Sequence, residues 1–141
     1  MFGKTYEDRL LAWVAFRQTL EYSIDPIQDV IDCYNIAPTV SIHTDAWDKT
    51  TWPDPWQLIQ ENQYCEFTRV LGMCYSLQLT DRFNGSQFEI HISTDYDKST
   101  DYYILMVDKC AIGYYNDTHV SIDELPSSLV DQKIYRMPHR Q

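Results

Sequence analysis

The sequence predicts an α+β fold in which N-terminal helices and one central helix pack on a small antiparallel sheet. Three observations carry this prediction. Apolar residues recur at a helical period as far as Leu79, Asn84-Gly85 then supplies a turn signal, and from Phe88 the period falls to two. Helices come first and strands after, without the alternation that builds a parallel sheet.

Residues 5–20 place Leu10, Leu11, Val14 and Leu20 near helical spacing with charge between them, which predicts an amphipathic first helix. Asp25 is placed to cap a second helix, with Pro26 in its first position and Ile27, Val30, Ile31 and Tyr34 on one stripe, until Ala37-Pro38 stops it. The stretch 39–52 reads as irregular. Asp54-Pro55 repeats the cap signature and opens a helix through Trp56, Leu58 and Ile59. A break near Glu61-Asn62 separates it from a central helix over 64–79, whose stripe is Phe67, Val70, Leu71, Cys74 and Leu77. A single continuous helix over 54–79 is the competing reading.

Phe88, Ile90 and Ile92 alternate with Glu89, His91 and Ser93 in the first strand. Residues 95–101 form an acidic turn, 102–107 a second strand and 110–115 a third, with a short strand expected at 133–136. The chain reads as one domain over 1–141: helices and a Trp-rich connection in 1–53, helix and strands in 54–115, and a wrapping segment in 116–141.

Composition removes several function classes. The chain has 141 residues, with 11 Lys+Arg against 21 Asp+Glu, a formal charge of −10. Such a surface repels phosphate backbones and anionic headgroups, which argues against nucleic-acid and membrane partners and leaves a protein or peptide partner. Near the N-terminus the uncharged run is only the seven residues from Leu10 to Phe16, too short for a secretory core or a span. A cytoplasmic place is therefore expected. Cys33, Cys65, Cys74 and Cys110 show neither zinc-ligand spacing nor a dense disulfide framework, so free thiols are expected, Cys74 in the core, with no metal and no cofactor.

Two constellations could carry function. The first is Cys65, His91 and Asp108. A thiol at a helix start is activated by a nearby imidazole, which in turn needs a carboxylate to fix its tautomer. Here Cys65 opens the central helix, His91 sits mid-strand and Asp108 ends the next strand. The competing reading is a packed Cys, a solvated His and a strand-ending Asp. If the helix is continuous over 54–79, Cys65 falls mid-helix and the activation is lost.

On these residues the chain resembles the transglutaminase-like superfamily over about 56–115. Cys65 with Phe67, Val70 and Leu71 looks like that family's nucleophile helix, His91 like its base and Asp108 like its orienting acid. Beside the nucleophile stand Tyr64 and Glu66 where the family usually has Gly and an aromatic, and Ile92 follows His91 where a small residue is common. The resemblance implies a papain-like core and acyl transfer from an amide or peptide through a thioester, as hydrolase or acyltransferase, in an active or a degenerate member.

The second constellation is Trp47, Trp52 and Trp56 with Pro53, Asp54 and Pro55, preceded by His43 and Asp45. Trp is enriched where proteins meet, so this run reads either as a docking patch or as a lid over the core. Together with the tract through Cys65, it resembles small proteins of tailed phages that infect marine bacteria. That resemblance implies the alternative function, a non-catalytic structural or assembly protein of a virion, located in the host cytoplasm or the particle.

Two weaker patterns occur in the strand region. His91-Ile92-Ser93 and His119-Val120-Ser121 have the form of two-histidine phosphoesterase motifs, but stand too close in sequence for two lobes. Asp95, Asp97 and Asp101 imitate a calcium loop, yet Thr100 and Met106 occupy the positions where Gly and Glu are needed.

Overall fold

The computed structural model describes residues 1–40 and 44–140. Among these residues the fold is α+β, with four α-helices followed by a five-stranded antiparallel sheet. The helices are α1 (Tyr6–Tyr22), α2 (Pro26–Tyr34), α3 (Pro55–Glu61) and α4 (Glu66–Gln78). The strands β1 (Phe88–Asp95), β2 (Thr100–Val107), β3 (Cys110–Ile112), β4 (His119–Ser121) and β5 (Leu129–Arg136) are ordered β4-β3-β2-β1-β5. None of the described helices is long and apolar enough to cross a membrane.

Local chemistry sets the helix boundaries. Asp25 accepts from the Gln28 amide at 3.1 Å and Pro26 holds the first position of α2, as expected. Asp54 and Gln57 bond each other's backbone amides at 2.8 and 2.9 Å, a reciprocal cap that starts α3. Asn62, at φ 51°, closes α3 in the left-handed region, so the chain does break there and Cys65 becomes the N-cap of α4. The competing continuous helix is thereby excluded.

Helix α4 is the centre of the molecule, buried on nearly every side between the other helices and the sheet. Ser76 on α4 ties the layers together. Its Oγ lies 2.9 Å from Trp13 Nε1 and 3.0 Å from Tyr34 Oη, joining α1 and α2 to α4. Gly72 lets Tyr34 lie flat on α4, since a Cβ there would stand 2.3 Å from its ring.

The first helix corrects the sequence reading. Leu11 and Val14, expected on the buried stripe, are exposed, whereas Arg9, Trp13 and Leu20 are buried. Arg9 has a backbone role: its guanidinium donates to the carbonyls of Gly3, Lys4, Ile59 and Gln60 at 2.8–2.9 Å. Two of those are orphan carbonyls in the last turn of α3, where a cation also meets the negative end of the helix dipole.

The sheet has two unlike faces. Phe88, Ile90 and Ile92 of β1, with Leu105 and Val107 of β2, face α4 and belong to the main core. On the far face Ile104, Met106, Ala111 and Tyr114 form a smaller cluster flanked by Val120, Leu125 and Leu129. Beyond β2 the strand expectations need amendment. The third strand stops at Ile112, β4 was not expected, and the last strand runs the eight residues Leu129–Arg136 rather than four.

Candidate functional site

Cys65 stands where the sequence put it, at the start of α4. It is 3% exposed and forms part of the wall of an open cleft of about 430 Å3, with Asn35, Thr39, Glu66, Arg69 and Asn116 around it. This cleft shares Asn35, Glu66, Arg69 and Asn116 with a pocket of about 80 Å3 floored by Val70, Met73 and Ile112. Burial pushes the Cys65 thiol up, but hydrogen bonding from Thr68 and from the amides of Thr44 and Phe67 outweighs it and holds the thiol below its usual value. Thr68 Oγ1 also accepts from the Cys65 amide at 2.8 Å, closing the first turn. Arg69 crosses the cleft to bond Thr39.

The other two members of the expected trio lie elsewhere. Side chains alternate along a strand, so with Ile90 and Ile92 turned to α4, His91 points to the far face. There its Nε2 is 2.9 Å from Glu89 Oε1, and its Nδ1 lies 3.1 Å from Asp131 Oδ1 without hydrogen-bond alignment. Ser93 donates to the same Asp131 oxygen at 2.7 Å. His91 is 8% exposed rather than solvated, and it braces β1 against the edge strand β5.

Asp108 does end β2, at φ 53°, and accepts from the Gln87 amide at 3.0 Å. It lies five residues beyond Tyr103, which lines the pocket beside Glu66, a separation of roughly 16 Å along an extended strand. Among the described residues no hydrogen bond or ion pair joins Cys65, His91 and Asp108. The sheet itself stands between the thiol and the imidazole. The two His-x-Ser motifs are likewise split, because His119 pairs with Ile112 on the α4 side of the sheet.

The tryptophans divide in the same way. Trp52 is a lid: its ring lies 4.9 Å from Phe67 and 4.8 Å from Tyr135, and its Nε1 donates to the Asp45 carbonyl at 3.2 Å. Trp47 and Trp56 flank it and remain 56% and 48% exposed. Trp56 rests edge-on against Trp13, and the Trp47 carbonyl accepts from Tyr135 Oη at 3.0 Å, so both indoles extend from an anchored segment. His43 lies outside the described residues.

One constellation escaped the sequence reading. Cys110 of β3 has its Sγ 3.1 Å from His119 Nδ1 on β4, and His119 Nε2 is 3.3 Å from Asp25 Oδ2 at the cap of α2. Cys110 and His119 sit on the α4 side of the sheet, as the alternation of Cys110, Ile112 and their β4 partners requires, and Asp25 meets them there from the cap of α2. Asp25 and His119 are 94 positions apart, and no local motif signals such a meeting.

No family model, curated protein or solved structure matches this chain. The transglutaminase-like and phage resemblances therefore rest on the residues quoted for them.

Proposed function

We propose that this protein works as a docking component of a larger assembly, seating the indoles of Trp47 and Trp56 in apolar recesses of a protein partner. The observation that supports this reading is the division among the tryptophans: Trp52 is consumed in packing while its two neighbours stay about half exposed on a segment fixed to the core. An exposed indole on a fixed support loses little conformational freedom on binding, which favours it as an anchor. A virion or an assembly intermediate of a tailed phage is the setting that the sequence resemblance suggests.

The alternative, acyl transfer by Cys65, has in its favour the lowered thiol and the adjoining cleft. The base expected for it, His91, lies on the opposite side of the sheet and is engaged there with Glu89 and Asp131. A single comparison separates the two. In extracts of the native source, the wild-type chain and Cys65→Ser are expected to elute in a species far larger than 16.7 kDa, whereas Trp47→Ser/Trp56→Ser is expected to elute alone while still unfolding cooperatively. Release of the Cys65→Ser chain, or retention of the double tryptophan variant, would reject the docking reading.

A further inference from the structure

We propose that Cys110, His119 and Asp25 form a thiol relay that accepts an acyl group from an ester or thioester donor. The inference is independent of the tryptophan surface. It rests on two contacts that order three side chains from three elements: Cys110 Sγ to His119 Nδ1 at 3.1 Å, and His119 Nε2 to Asp25 Oδ2 at 3.3 Å.

The sequence of contacts assigns the protons. Asp25 accepts from Nε2–H, which leaves the Nδ1 lone pair turned toward the Cys110 thiol. Asp25 is itself positioned, because its other oxygen accepts the Gln28 amide at the start of α2. On the strand side, pairing of Ile112 with His119 and Cys110 with Ser121 fixes the thiol and imidazole on one face of neighbouring strands. Gln28 extends this anchoring by donating to the Asp117 carbonyl at 2.7 Å, which holds the chain entering β4 against α2.

Burial raises the Cys110 thiol and the Asp25 charge raises it further, so the resting group is S–H rather than a preformed thiolate. His119 therefore acts as a general base. As Sγ attacks the acyl carbon, the thiol proton passes to Nδ1, the new S–C bond forms and the C–O or C–S bond to the leaving group breaks. The leaving oxygen or sulfur takes that proton from Nδ1. Water then attacks the thioester with Nδ1 as base, the S–C bond breaks, and Cys110 recovers its proton; oxidation states do not change. Cys110 is half-buried and 28% of the His119 side chain is open to solvent, so the donor approaches from the solvent side of the β3–β4 margin. That favours a small or extended acyl donor with a good leaving group.

The test uses the full chain and p-nitrophenyl acetate, following nitrophenolate release and mapping the acetyl group by peptide mass. Acetylation is expected at Cys110 in the wild type and in Cys65→Ser alike. His119→Gln is expected to slow it roughly 100-fold. Asp25→Asn preserves the helix cap, so its melting temperature should hold while the rate falls roughly tenfold and the midpoint of its pH–rate profile moves to lower pH. If His119→Gln fails to fold, this second variant decides the matter. Acetylation of Cys110 at an equal rate in Asp25→Asn with an unmoved profile, or no acetylation of Cys110 in the wild type, would overturn the proposal.

Discussion

The two faces of the sheet differ in what they hold. The face toward α4 carries Phe88, Ile90, Ile92, Leu105 and Val107 in a continuous core, with Cys110 and His119 at its β3–β4 margin. The far face covers a small apolar cluster and buries polar groups beside it: His91, Ser93 and Asp95 are 8%, 0% and 1% exposed. This contrast shows that sequence proximity along a strand says little about chemical proximity. Ile90, His91 and Ile92 are consecutive, yet only the isoleucines share a side with Cys65.

Adjacent residues of β2 offer the sharpest way to break this comparison. Leu105 and Ile104 are both 0% exposed but point to opposite faces. Leu105→Ala should cost about 4 kcal/mol by leaving a cavity in the large, rigid core, and Ile104→Ala about 2 kcal/mol, because the thinner cover over the far face can collapse. Urea denaturation of the two variants checks the order. Equal losses would mean that the faces are equally well packed.

High pH should attack the helical side. Burial pushes Cys33 up to about 11 and Tyr75 up to about 12, and raises Tyr34 and Tyr64 as well. A folded-state value above the unfolded one contributes stability that is complete below the unfolded value and lost as pH rises through the folded one. For Cys33 the loss therefore runs from about pH 9 to 11, and for Tyr75 from about pH 10 to 12. Melting temperature should fall over that range together with a cooperative rise in tyrosinate absorbance. Tyrosines that ionise in the ordinary range without loss of structure would contradict this burial.

The smallest effect is expected on the far face at its edge. Asp131 accepts from Ser93 and faces His91 from β5, but its side chain is 42% exposed, so solvent screens the contact. Asp131→Asn should cost less than about 1 kcal/mol overall while speeding amide hydrogen exchange in residues 129–135. Unchanged exchange there would show that the His91 cluster does not brace β5.

Much of the fold was legible because local chemistry fixed it. Asp25-Pro26 and Asp54-Pro55 named two helix starts, the Asn62 break made Cys65 an N-cap, and the period of two in β1 announced both faces. Where packing at a distance decided the outcome, the reading went astray. Helix α1 buries Arg9 because carbonyls at the N-terminus and the end of α3 converge on it, and this turns Leu11 outward. Strand β5 is mostly exposed and carries Asp131, Gln132 and Lys133, so its sequence lacks the apolar alternation of a half-buried strand.

The candidate site followed the same rule. The position of Cys65 came from a helix signal, and the alternation in β1 already turned His91 away from Ile90 and Ile92. Which of those faces α4 would cover, and therefore which side Cys65 would occupy, depended on the packing of α4. The meeting of Cys110, His119 and Asp25 required the pairing of β3 with β4 and the docking of α2, neither of which a linear motif encodes.

The separation of Cys65 from His91 by the sheet can be measured through the imidazole nitrogen and carbon-bound proton resonances of His91 by NMR. Cys65→Ser, or alkylation of Cys65, should leave those resonances in place, while Asp131→Asn shifts them. Movement of the His91 signals on changing Cys65, with none on changing Asp131, would contradict the account and restore the trio.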